Sequence, residues 1–173
     1  ENSAITNNDI LYDSYHVDWT WGGDYIIEGY GDHPREVSNN NIHIIAPQDN
    51  GYDCYNSDET RDWELYLYND IERIISVSDN VDVLNNSVTI DNPNNRITYN
   101  TFILTESGCE VSGNTLTGGI FTESSLFDIN GDNTSVHDNI ISTEHTSLCY
   151  RTDYVIDVRN VDDVEFYDNN IEI

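Results

Sequence analysis

Apolar and polar residues alternate in this chain over short runs of three to five positions, and Asn or Asp punctuates the runs. Ile75-Ser76-Val77, Val81-Asp82-Val83 and Val88-Thr89-Ile90 follow one another across Asn80 and Asn85-Asn86. The same order returns as Ile156-Asp157-Val158, Val164-Glu165-Phe166 and Ile171-Glu172-Ile173, across Asn160 and Asn169. Period-two alternation over so few residues predicts short strands with one buried face. Asn and Asp suit the corners between them, because both tolerate left-handed backbone and hydrogen-bond to it locally. Phe127-Asp128-Ile129 with the run from Val136 to Ile141, and Phe102-Ile103-Leu104 with the run from Val111 to Leu116, repeat the pattern with other corner lengths. No segment carries a capped 3.6-residue period, so almost no helix is expected.

One phrase within this pattern recurs: an apolar residue, two small or polar ones, an Asn, then alternating apolar positions. It reads Val37-Ser38-Asn39-Asn40-Asn41-Ile42, Val83-Leu84-Asn85-Asn86-Ser87-Val88, Val111-Ser112-Gly113-Asn114-Thr115-Leu116, Val136-His137-Asp138-Asn139-Ile140-Ile141 and Phe166-Tyr167-Asp168-Asn169-Asn170-Ile171. The Asn positions 40, 86, 114, 139 and 169 are separated by steps of 46, 28, 25 and 30 residues. A period in the twenties is the signature of a solenoid, and the long step is expected to hold two rungs with a loop. Ile5-Thr6-Asn7-Asn8-Asp9-Ile10-Leu11 is a candidate first rung. Residues 1–36 otherwise form an irregular, aromatic-rich start with Tyr12, Tyr15, Trp19, Trp21, Tyr25 and Tyr30. Residues 46–62, with Pro47, Asn50-Gly51 and Cys54, read as an inserted loop before an alternating strand from Trp63 to Tyr68. The expected fold is all-β: one domain over 1–173, a parallel β-solenoid of about six or seven rungs, closed as a β-helix or built of stacked β-arches.

Composition agrees with that architecture. Hydrophobic residues make up 37% of the chain, low for a bundle or sandwich but suited to a solenoid, which also stacks polar side chains. The charge narrows the partners. Thirty-three acidic residues stand against six Arg and no Lys, for a net charge of -27. That field repels nucleic acid and anionic membranes and favours cations, high salt or an acidic extracellular setting. No run approaches the length of a membrane-spanning helix. Met is absent and the chain begins Glu1-Asn2-Ser3, as expected of an exported protein after removal of a leader. Three cysteines, Cys54, Cys109 and Cys149, lack metal-type spacing. In an exported chain they are disulfide candidates within or between molecules, and in a reducing compartment three small buried hydrophobes. Asn85-Asn86-Ser87 and Asn133-Thr134-Ser135 fit the N-glycosylation acceptor pattern.

The Val-x-x-Asn-x-Ile/Val phrases resemble the repeats of right-handed parallel β-helix proteins of the pectin-lyase-like superfamily, over residues 37–173 and arguably 5–173. The resemblance implies three strands per rung and a ladder of hydrogen-bonded amides at one corner, here Asn40, Asn86, Asn114, Asn139 and Asn169. Many members cleave polysaccharides. Of the hydrolase motifs on successive rungs, only Asp162-Asp163 is present, and the basic residues the lyases need are scattered. Asp58/Glu59 and Asp162/Asp163 are carboxylate pairs of the kind glycoside hydrolysis uses, but 33 carboxylates make chance pairs inevitable. His16, His33, His43, His137 and His145 show no triad or metal spacing. The reading is therefore not an enzyme. Asp128, Asn130 and Asp132 follow the opening of a calcium loop, so Ca2+ or another divalent cation is the ligand to test. Gly131 falls at the fourth loop position instead of the sixth, and Asn139 stands where a bidentate Glu is needed, so an Asn-Gly-Asp turn competes with the metal reading.

The last phrase runs to Ile173 with no polar element behind it. A solenoid end offers unpaired N–H and C=O groups to another copy, unless a capping element covers it. The expectation is a self-assembling extracellular structural protein, a sheath, layer or filament, amyloid-like in its stacking and locked by disulfides and divalent cations. It is similar in kind to the sheath and surface-layer proteins of methanogenic archaea. The competing expectation is a β-helix that binds or cleaves cell-surface polysaccharide, with the aromatic stretch from Tyr12 to Tyr30 as its platform.

Overall fold

The computed structural model describes residues 4–13, 25–29, 35–45, 73–91, 101–121, 125–145, 155–159 and 161–173. These residues form strands and corners, with no helix among them. The first rung is β1 (Ala4–Thr6), β2 (Asp9–Asp13) and β3 (Tyr25–Gly29). The second is β4 (Glu36–Ser38), β5 (Asn41–Ile45) and β6 (Arg73–Val77). The third is β7 (Asp82–Leu84), β8 (Ser87–Asp91) and β9 (Thr101–Thr105). The fourth is β10 (Glu110–Ser112), β11 (Thr115–Phe121) and β12 (Phe127–Ile129), and the fifth is β13 (Ser135–His137), β14 (Ile140–His145) and β15 (Ile156–Val158). The sixth contributes β16 (Glu165–Tyr167) and β17 (Asn170–Glu172).

Each strand pairs in parallel with its counterparts in the neighbouring rungs. Sheet A runs β1-β4-β7-β10-β13-β16, sheet B runs β2-β5-β8-β11-β14-β17, and sheet C runs β3-β6-β9-β12-β15. The molecule is a parallel β-solenoid, as the alternating pattern implies, with six rungs among the described residues.

The alternation sets which side chains meet inside. In sheet A the central residue of each strand points inward, so Val37, Val83, Val111 and Val136 stack in one fully buried column. Ile42, Val88, Leu116 and Ile141 form the equivalent column of sheet B. In sheet C the column is Ile27, Ile75, Ile103 and Phe127. Each such side chain removed from water contributes about 1.5–3 kcal/mol. Phe127 meets Phe102 and Phe166 edge-on, both at centroid distances of 5.9 Å.

Two features depart from the regular pattern. Sheet C is buried on both faces at β6 and β9, where Ile74 to Val77 and Thr101 to Thr105 are all buried. In sheet B the register between β11 and β14 shifts across Gly118-Gly119, which take φ of +80° and +79°. A Cβ on Gly118 would lie 2.3 Å from the Ile90 carbonyl oxygen, so only glycine fits that bulge.

The long step between Asn40 and Asn86 differs from expectation. Strands β4 and β7, and β5 and β8, are direct neighbours, so the step is a single rung. Its extra length falls between β5 and β6, at residues 46–72. The expected loop at 46–62 and the alternating run from Trp63 to Tyr68 both lie there, outside the described residues.

Candidate functional site

The corner between sheets A and B has two residues in every rung, and each has a fixed task. The first adopts the left-handed conformation: Asn7, Asn39, Asn85, Gly113, Asp138 and Asp168, with φ between 52° and 66°. Asn, Asp and Gly are the residues that accept this backbone at low cost. The second is the ladder residue: Asn8, Asn40, Asn86, Asn114, Asn139 and Asn169. Its backbone N–H and its Nδ2 both donate to Oδ1 of the next rung's Asn. From Asn8 to Asn169 these Nδ2–Oδ1 distances are 2.8, 2.8, 3.0, 3.0 and 2.8 Å. The other Nδ2 hydrogen turns back to the preceding rung. Asn40, Asn86, Asn114, Asn139 and Asn169 donate to the carbonyls of Ile5, Val37, Val83, Val111 and Val136 at 2.8 to 2.9 Å.

All five amides expected to form the ladder therefore do so, and Asn8 makes a sixth. Its phrase, Ile5-Thr6-Asn7-Asn8, has the apolar-x-x-Asn spacing of the others. Asn40, Asn86, Asn114 and Asn139 are buried, and hydrogen bonds to every donor and acceptor of the amide offset the cost of its desolvation.

The ladder has a direction. Oδ1 accepts only from the preceding rung, and Nδ2 reaches both ways. Asn8 Oδ1 accepts no hydrogen bond from the described residues, and the Asn169 N–H donates to none of them. The sixth rung also exposes interior positions. Phe166 continues the sheet A column yet is 36% exposed, whereas Val37, Val83, Val111 and Val136 are at 0%. Tyr167, on the outer face, and Ile173 are exposed as well.

A second column lies on the outer face of sheet A. The residue before each inward apolar position is Glu36, Asp82, Glu110, Ser135 and Glu165, paired in register from rung to rung. The carboxyl pKa of Asp82 is raised, first by burial and then by the charges of Glu110 and Glu36. Its Oδ1 accepts the Glu110 N–H at 3.0 Å, which opposes that shift. His137 continues this face: Nδ1 lies 2.8 Å from Asp138 Oδ2, Nε2 lies 3.4 Å from Glu110 Oε1, and the ring stacks on Tyr167 at 4.7 Å. The column was legible one residue upstream of each repeated phrase.

Of Asp128, Asn130 and Asp132, the first two are joined by a side-chain hydrogen bond. Asp128 lies in β12 beside Asp157 of β15. Its pKa is raised by burial and by Asp157, against the lowering effects of Arg159 and Arg73 and the Asn130 hydrogen bond. Asp157 is ion-paired with Arg159. Asp132 instead sits at the corner before β13, where its Oδ1 accepts the Asp162 N–H at 2.8 Å. Gly131 packs against the preceding rung so closely that a Cβ would lie 2.0 Å from Ser107 N. Among the described residues no three His, Cys, Asp or Glu side chains gather to hold a metal ion.

Asp162-Asp163 forms a corner too, with Asp163 left-handed at φ 56°. Cys109 is a buried free thiol whose Sγ–H donates to Ser78 O at 3.4 Å, and burial pushes its pKa up to about 11. Cys54, Cys149, His16, His33, Asp58 and Glu59 lie outside the described residues, as do most of the aromatics between Tyr15 and Tyr30. His43 pairs with Asp91 across two rungs at 2.8 Å. No helix among the described residues is long and apolar enough to cross a membrane. The chain matches no family model, no curated protein and no solved structure.

Proposed function

We propose that this protein is a self-assembling structural protein of the cell exterior, whose copies add rung upon rung into a layer, sheath or filament. The observation that carries this reading is the stack itself: its rungs join through the same parallel pairings and one continuous amide ladder, a way of adding rungs that a further copy can extend. Phe166, in register with the fully buried Val136, is 36% exposed. Apolar area of that kind gains about 25 cal/mol per Å² when another rung covers it. Parallel strands with unpaired edges favour the same kind of cover. The acidic surface suits a charged, salt-bathed exterior, with divalent cations bridging carboxylates between copies. Burial of Cys109 leaves Cys54 and Cys149 as the thiols for covalent locking. The likeness to β-helix repeat proteins and to archaeal sheath proteins is one of architecture and kind.

Sedimentation and negative-stain microscopy of the 173-residue chain, across salt and Ca2+ concentrations and with reductant or chelator, test the reading. Polymers that loosen with reductant or chelator are expected. A monodisperse monomer under all these conditions would overturn it. A glycan panel run on the same material tests the alternative, a polysaccharide-binding or polysaccharide-cleaving β-helix. Uronide binding by a monomer would favour that alternative.

A further inference from the structure

Two acceptor tripeptides, Asn85-Asn86-Ser87 and Asn133-Thr134-Ser135, have no part in the stacking of rungs. We infer that Asn85 and Asn133 are attachment sites for N-linked glycans, set at the two borders of sheet A. The inference rests on the exterior placement in the reading above and adds a covalent modification to it.

The tripeptide alone is a weak signal in a chain so rich in Asn. Its place in the rungs is informative. At the corner between sheets A and B, a glycan on a ladder amide would take the Nδ2 hydrogens that bind the neighbouring rungs. No ladder residue heads an acceptor tripeptide: Asn114 precedes Thr115-Leu116, and Asn139 precedes Ile140-Ile141. In the third rung the acceptor is instead the left-handed Asn85, which is exposed, and the buried ladder residue Asn86 is only the middle position.

The second acceptor stands at the corner between sheets C and A. Asn80, Gly108, Asn133 and Asp163 are the left-handed residues there. They follow one another rung by rung, through the N–H groups of Asn80, Gly108 and Asn133 to the carbonyls of Ser107, Asp132 and Asp162. Asn133 is exposed, whereas the Thr134 behind it is buried and gives its hydroxyl to Glu106 O at 3.0 Å.

The surroundings leave room at both positions. Neither side-chain amide is used in a hydrogen bond among the described residues. Each acceptor also has a glycine at the same corner of a neighbouring rung, Gly113 after Asn85 and Gly108 before Asn133. No other glycine occupies either column among the described residues. A Cβ on Gly113 would lie 2.3 Å from Asn85 Oδ1. Oδ1 is thus the atom turned to the stack, and Nδ2, through which a glycan is joined, is farther from it.

Transfer joins Nδ2 to C1 of a sugar and breaks the bond from that carbon to the phosphate of a lipid-linked oligosaccharide. The lipid phosphate leaves with one amide proton. Asn85 directly follows β7, and Asn133 lies two residues before β13. Glycans there frame the outer carboxylate column of sheet A and keep that face in solvent.

Mass spectrometry of glycopeptides from the chain, isolated from its own cells after fractionation, tests the inference. Peptides with Asn85 and Asn133 should exceed their sequence mass by that of an oligosaccharide, with fragment ions placing it on those residues. Ser87→Ala and Ser135→Ala should each remove the glycan of its own tripeptide, although the Asn remains, and leave the other occupied. Sugar on Asn86, Asn114 or Asn139 instead would overturn the placement. Bare Asn85 and Asn133 in chain recovered from the cell exterior overturn the inference and leave the assembly reading standing. A chain confined to the cytosol overturns both.

Discussion

Asn114 shows what a single ladder amide does. It is fully buried, accepts two hydrogen bonds from Asn86, and donates to Asn139 and Val83. Truncation to Ala leaves several buried groups without partners, each costing about 1–3 kcal/mol where water cannot replace the amide. Asn114→Ala should therefore lower the unfolding free energy by about 2–4 kcal/mol in a urea titration. A loss no larger than that at the exposed Asn8 would count against the ladder as a stabilising element. Thr105 makes the opposite case. It stands beside Ile129 in sheet C, 1% exposed, and its Oγ1 has no hydrogen-bond partner among the described residues. Val keeps the branched shape and removes the orphaned hydroxyl, so Thr105→Val should stabilise the fold by about 1 kcal/mol in the same assay. The Asn positions were readable because each rung repeats their spacing. The orphaned Thr105 hydroxyl was not, because alternation predicts which way a side chain points and not what it meets there.

At the scale of elements, sheet A carries its carboxylates in a column because the register is in phase over five rungs. Asp82 sits between Glu36 above and Glu110 below, and its folded-state pKa is raised, chiefly by burial. A raised pKa means that the protonated form is favoured by folding. The associated stability is full below the unfolded-state pKa and is lost as pH rises through the folded-state value. Asp82 thus works against the fold at neutral pH. Asp82→Asn keeps the oxygen that accepts the Glu110 N–H and removes the charge. It should melt higher than wild type at pH 7, with the difference vanishing near pH 3. A variant that melts lower at pH 7 would show that the charged hydrogen bond outweighs burial and repulsion. The strands themselves were legible from alternation, and the sixth ladder amide at Asn8 from the phrase spacing. The single-rung nature of the 46-residue step was not. A loop's length says nothing of where its ends return, and the direct pairing of β4 with β7 and of β5 with β8 settles it. At Asp128 the spacing alone does not show the neighbours: Asp128 lies in β12 and Asp132 at the corner before β13, and each meets a residue of the following rung, Asp157 and Asp162.

For the molecule as a whole, a stack of rungs contacts only its neighbours, so its electrostatics depend on distance along the stack. Rungs repeat at about 4.8 Å, and the screening length is about 10 Å in 0.1 M salt and about 3 Å in 1 M. Moderate salt thus quiets charges more than two rungs apart but leaves the repulsion between adjacent rungs, including Glu36–Asp82–Glu110, largely intact. With a net charge of -27, stability should rise from low salt to 0.1 M and continue rising to 1 M NaCl. Thermal melts across that range, for wild type and for Asp82→Asn, check the argument. The variant should gain less than wild type between 0.1 and 1 M, because one of its adjacent-rung repulsions is already gone. A wild-type curve that flattens at 0.1 M would place the destabilising charge between distant rungs instead.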